Sequence, residues 1–304
     1  MPILYAGRLR GAAQPYPIYR YFRFRFFGAE QSNDYMIIGN VEMAATPGGA
    51  NYVSGQTVTG SSGTPGLAFD GNPASAGWVV SCWGEYAQID LVTPTALAQV
   101  DFYPQTSLTN YLKMPRAVAI AGSDDGTTLH PIGIYPLSTW SSTASQSVLV
   151  TNTSLVDLRA NARMWWLAGT GVASSAGAGP TLGELVWGAT QQATGGKAVG
   201  GTTFSTNVVD NLYDGSDITV YLANAWLFGS TWFQPGNMGY LWPSPINLTQ
   251  YSTIARGTGS PVGDPPSGWT VNWTSDGFND HTTDTESGQT GWTLSQVRTF
   301  SISP

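Results

Sequence analysis

The sequence predicts an all-β protein: two tandem β-sandwiches of jelly-roll type behind an extended N-terminal arm. Three observations carry that expectation. The chain repeats itself at an offset of 143 to 152 positions, its apolar runs are short and bounded by Gly and Pro, and helical periodicity of any length is absent. The repeat is the strongest. Tyr19-Arg20-Tyr21-Phe22-Arg23-Phe24 is answered 143 positions later by Ala162-Arg163-Met164-Trp165-Trp166-Leu167. Ile38-Gly39-Asn40-Val41-Glu42-Met43 matches Leu182-Gly183-Glu184-Leu185-Val186-Trp187, and Leu67 to Gly71 matches Asn211 to Gly215, both at 144. Pro94 to Val100 matches Pro245 to Tyr251 at 151, Pro115 to Gly126 matches Pro266 to Gly277 at the same 151, and Trp140 matches Trp292 at 152. Order is kept and the offset only rises, as loop insertions in a second copy produce. The expected division is an arm over 1–18, one sandwich over 19–152 and another over 160–304.

Taken in order, residues 1–18 carry Gly7, Gly11, Pro15 and Pro17 without periodicity. Ile3, Leu4, Tyr5 and Tyr16 favour an arm that docks on a partner subunit over a frayed terminus. In Tyr19 to Phe26, Arg20 falls on one strand face and Arg23 and Arg25 on the other, with aromatic residues on both. Such a strand fits between two packed surfaces. Val100–Tyr103, Ala117–Ala121 and Val148–Val150 read as further short strands. Asp125-Gly126 and Asp276-Gly277 mark hairpins, because Gly tolerates the positive φ of a tight turn. Many short strands with Gly- and Pro-rich connections mean a sandwich or jelly roll. The short bridge from Asn152 to Asn161 implies a fixed or semi-fixed pair. Gly169 to Pro180 reads as a loop, and no Gly-Lys-Ser/Thr follows to make it a phosphate loop.

A length of 304 residues suits two domains of about 150 each. Only 10% of residues are charged, against roughly a quarter in an average domain. Hydroxyls, amides and aromatic rings replace them, as suits extracellular or virion proteins that meet sugars or pack against neighbours. With 12 Trp, 14 Tyr and 11 Phe the chain has ample apolar area to bury, so disorder is excluded. A net charge of −7 without a basic stripe lacks the counterion-release contribution that drives nucleic-acid binding. The lone Cys82 excludes an intrachain disulfide. The first residues lack the cationic and apolar regions of a signal peptide, and no run of 18 apolar residues spans a membrane. The expectation is synthesis in a cytoplasm and export, if any, as part of a larger particle.

Set in order, the features of one copy are an Arg-aromatic strand, an Ile-Gly-Asn-Val-Glu-Met strand and an Ala-Phe-Asp-Gly-Asn loop. Trp78 or Trp83, Gln88-Ile89-Asp90-Leu91, the Pro115-Arg116 strand, the Ser123–Gly126 turn and Trp140 follow. This series resembles the discoidin or coagulation-factor type C family, within the galactose-binding-like jelly rolls. The resemblance covers 19–150 well and 162–304 more loosely. In that family the Arg-aromatic strand and the Glu-containing strand close the domain, whereas here they open it. Two explanations stand: each copy is circularly permuted, or 162–187 completes the first roll and 19–43 the second. Similar openings occur in repeat-containing phage virion proteins.

The resemblance implies sugar binding by exposed rings and an Arg or His on loops at one end of the roll. The candidates are Trp83, Tyr111, Arg116 and His130, with Trp232 and Trp242 in the second copy; Trp78 and Trp226 are weaker, and core packing is the competing reading for every Trp. Trp78 and Trp140 read as core. It also implies a Ca²⁺ loop at Asp70 and Asn72 and at Asp214 and Asp217, since hard oxygen ligands suit that cation; a plain Asx turn is the alternative. Catalysis has little support. The chain has only two histidines, His130 and His281, no Gly-x-Ser-x-Gly elbow exists, and Asp124-Asp125 sit in a turn that Gly126 explains. The leading expectation is a non-enzymatic phage virion component, either a head decoration, a head or tail fibre or a tail appendage. Its partners would be other virion proteins, further copies of itself and host surface glycans. A carbohydrate-binding module of a secreted or surface bacterial protein is the alternative.

Overall fold

A computed structural model describes residues 15–30, 35–106, 110–153, 155–172, 181–200, 209–216, 221–222, 237–255, 257 and 266–303. Extended structure dominates, and the helical pieces among the described residues are 3-10 turns of three or four residues. The first half contains β1 (Ile18–Ala29), β2 (Met36–Ile38), β3 (Asn40–Ala44), β4 (Thr57–Gly60) and β5 (Trp78–Val80). It continues with β6 (Trp83–Ala96), β7 (Gln99–Tyr103), β8 (Pro115–Ser123), β9 (His130–Pro136) and β10 (Gln146–Leu149). The second half contains β11 (Met164–Val172), β12 (Thr181–Leu182), β13 (Glu184–Trp187), β14 (Lys197–Gly200) and β15 (Tyr221–Leu222). Then come β16 (Asn237–Leu241), β17 (Gln250–Ile254), β18 (Pro266–Thr274), β19 (His281–Glu286) and β20 (Val297–Ser301).

Every strand pairing among the described residues is antiparallel. The first half forms a five-stranded sheet, β4-β6-β1-β8-β9, a three-stranded sheet, β10-β7-β3, and the pair β2-β5. The second half forms β14-β16-β11-β18-β19, β13-β17-β20 and β12-β15, the same orders with every index raised by ten. Register follows residue by residue. Tyr21 lies opposite Ser123 and Met164 opposite Thr274; Asn40 opposite Tyr103 and Glu184 opposite Ile254; Val148 opposite Val100 and Phe300 opposite Tyr251. The offsets legible in the sequence therefore carry one half's strand partners onto the other's. Each Arg-aromatic strand is completed within its own half, β1 by β6 and β8 and β11 by β16 and β18, so the exchanged arrangement does not occur. Gly169, expected to open a loop, instead continues β11. Its ladder to β18 runs on through register shifts to Val172, because glycines can stay extended when a partner strand holds them.

The alternation in β1 divides its side chains. Phe22, Phe24 and Phe26 enter the first core with Trp78, Phe102 and Trp140. Trp165 and Leu167 of β11 enter a second core with Trp187, Tyr251 and Trp269. A third cluster joins the two halves: Phe27, Ala117, Ala119 and Ile134 against Met164, Trp166, Val199 and Leu241. The outer face of one five-stranded sheet thus packs on the outer face of the other. Every residue of β8 is buried, since Val118 and Ile120 face the first core while Ala117 and Ala119 face the second half. The backbones approach closely: a Cβ on Gly28 would lie 2.7 Å from the Gly200 carbonyl oxygen, and Gly28 also holds a φ of 63°. The start of the bridge is tied to β9 of the first half. Thr153 donates to the Ile132 carbonyl (2.7 Å), and Leu155 N–H to that of Pro131 (3.3 Å). Of the arm, residues 1–14 lie outside the described residues; Pro15 and Pro17 accept bonds from the amides of Asn152 and Leu97.

Candidate functional site

The residues expected to meet sugar do not converge. Trp242 is buried, donating its indole N–H to the Gln192 carbonyl at 2.7 Å and packing on Tyr240 and Trp187, so its expected surface role is corrected to core. Flanking glycines and prolines expose a ring only when no neighbouring strand covers it. Arg116, also expected at a surface, is 1% exposed, because β8 is covered on both sides. Trp83 is half-buried against Phe27 and Trp166, with ring centroids 5.5 Å away in each case, so its outward face is taken by the second half. Tyr111 is half-buried against the first core, and exposed His130 stacks on Tyr19 with centroids 5.5 Å apart. Trp78 and Trp140 are core, as expected. Trp226, Trp232 and Asp217 lie outside the described residues.

The two acidic loops form Asx turns. Asp70 Oδ1 accepts the Asn72 amide at 2.7 Å and Asp214 Oδ1 the Ser216 amide at 2.9 Å, with Gly71 and Gly215 at φ 77° and 79°. Asn72 Oδ1 in turn accepts the Ala74 amide at 3.0 Å. Among the described residues, no three His, Cys, Asp or Glu side chains gather as a metal would need. The Ser-Asp-Asp-Gly turn has its repeat as well. Asp125 accepts the amides of Thr127 and Thr128, each at 2.7 Å, and Asp276 those of Phe278 and Asn279 at 2.8 and 2.9 Å. These bonds hold the Asp125 carboxyl well below the usual carboxylate range.

One serine, one histidine and one aspartate do meet, at the bridge. Asp157 accepts from Ser275 Oγ at 3.0 Å and faces His281 Nε2 at 2.8 Å, while the His281 ring stacks on Trp273 at 4.2 Å. A hydrolytic triad needs serine to hydrogen-bond to histidine. Here both bond to the aspartate, and Ser275 is 1% exposed. This is a clasp that fastens the bridge to the second half.

The most elaborate polar geometry lies between the halves. Arg25 grips Asp280 with two bonds of 2.8 and 2.6 Å, and also bonds to the Gly277 carbonyl at 3.0 Å. Farther along, Arg116 pairs with Asp210 and lies 3.6 Å from Glu30, whose other oxygen takes Lys197 Nζ at 3.3 Å. Burial pulls the Lys197 pKa down, with nearby Arg116 adding to the effect. Arg163 Nη1 crosses to the Ile134 carbonyl at 3.3 Å. In the sequence Glu30, Lys197 and Asp210 look like ordinary surface charges, and Asp280 reads as part of a solvated loop over Asn279–Asp284. The available signal was that the repeat breaks at them. Among the described residues no helix is long and apolar enough to cross a membrane. Comparison with family models, curated proteins and solved structures finds no match for the chain.

Proposed function

We propose that this chain is a non-enzymatic structural component of a phage virion, built as two tandem galactose-binding-like jelly rolls with an N-terminal docking arm. The observation that carries a contact role is the union of the halves, where an apolar cluster and two sets of ionic contacts join sheets of identical strand order. Such a body presents its three-stranded sheets to neighbours at a fixed separation. The low charge and the resemblance of the repeated series to discoidin-like virion proteins support the placement in a particle. The sugar-binding reading draws less support, since Arg116 and Trp242 are buried and Trp83 faces the second half.

The test is mass spectrometry of purified particles. Stoichiometric copies on the particle, together with no binding on a glycan array at millimolar sugar with or without Ca²⁺, are expected. A chain found only as a free soluble monomer overturns the proposal, and array binding through Tyr111 or His130 favours the sugar-binding module.

A further inference from the structure

We infer that the two halves are an obligate, one-way pair: charges carried by one copy and missing from the other decide which faces meet, and the chain unfolds as one unit. The strand registers for Arg25 and Lys197, and the sequence offsets of the repeat for the other four, give each interface charge its counterpart in the sequence. Arg25 corresponds to Ala168, Glu30 to Ala173 and Arg116 to Ser267. Conversely, Lys197 corresponds to Thr57, Asp210 to Gly66 and Asp280 to Leu129. None of the six is charged in both copies.

That pattern has a geometric meaning. When two like surfaces meet by two-fold symmetry, each contact occurs twice, because residue i of one meets j of the other and the reverse also holds. Here Arg25 meets Asp280, but Ala168 and Leu129 cannot reciprocate. The first half contributes Arg25, Arg116 and Glu30, and the second answers with Asp280, Asp210 and Lys197. The contact is therefore heterologous, between surfaces that have become complementary.

The apolar cluster alone cannot impose this. Burial of Phe27, Ala117, Met164 and Trp166 is favourable but non-directional, and two sheet faces could slide or reverse while keeping most of it. Buried ions cannot slide, because a charge parted from its partner is strongly penalised. Arg116 and Glu30 are 1% and 4% exposed, so displacement would strand both. The Arg25 contact lies five residues along the chain from Glu30, roughly 16 Å of extended strand, and two separated fixings oppose rotation as well as translation.

The inference does not depend on the virion reading, and its test uses the full-length protein. Calorimetry of the unmodified chain is expected to give one transition, with calorimetric and van't Hoff enthalpies equal. Arg25→Asp and Asp280→Arg are each expected to lower Tm by about 2–6 °C, and the double exchange to recover at least half of the larger loss. Two separate transitions in the unmodified protein overturn the inference without need of any variant. Single reversals that leave Tm unchanged, or an exchange that recovers nothing, overturn the directional part.

Discussion

Truncating Trp166 to alanine measures whether the face between the halves behaves as interior. Trp166 and Trp165 are neighbours on β11 that point to opposite sides, Trp165 into the second core and Trp166 onto Phe27, Ala117 and Trp83 of the first half. Both are nearly inaccessible, at 4% for Trp166 and 0% for Trp165. Removing a buried tryptophan costs about 3–5 kcal/mol, and the tilted pair with Trp83 contributes about 0.5–1.5 kcal/mol within that. At roughly 2 °C per kcal/mol for a chain of this size, Trp166→Ala should lower Tm by about 6–10 °C, comparable to Trp165→Ala. Urea unfolding followed by far-ultraviolet circular dichroism gives the free energies, and a Trp83→Ala/Trp166→Ala cycle isolates the pair. If the halves stand apart in solution, Trp166 is a surface residue, and its loss should cost under about 0.5 kcal/mol. That result, with Trp165→Ala still costly, would refute the packed interface while leaving each half's own core intact.

Three further outcomes follow from local geometry. Val92 holds a φ of 65°, costly for a β-branched residue, while its side chain is 69% exposed; Val92→Gly should therefore raise stability by about 0.5–1 kcal/mol, and a fall in Tm would contradict the strain. Asp276 is 1% exposed whereas its repeat Asp125 is exposed at its turn, so Asp276→Ala should cost about 1–3 kcal/mol and Asp125→Ala clearly less, with equal losses in parallel melts counting against this. The bidentate Arg20 contact holds the Asp90 carboxyl at about 2, below its ordinary value, so its stabilisation is complete above about pH 4 and lost as pH falls through 2. Because the pair is partly exposed, that loss should stay under about 1 kcal/mol, and an acid titration of Arg20→Gln should lack it.

What the sequence determined by itself was the repetition and its consequences. The offsets between Tyr21 and Met164, Ser123 and Thr274, and Val100 and Tyr251 reappear as strand registers, because a duplicated pattern of inward and outward residues can satisfy its core in only one pairing. The positive-φ turns at Gly126 and Gly277 were equally legible, since that backbone conformation selects glycine locally. Aromatic residues on both faces of β1 already indicated cover on two sides. Only the tertiary structure decided what supplies that cover. Whether Arg116 or Trp242 meets water depends on strands distant in sequence, and nothing in a local run encodes the second half lying across β8. The same holds for Glu30 and Lys197, which sit 167 positions apart and become partners only where the two five-stranded sheets meet face to face.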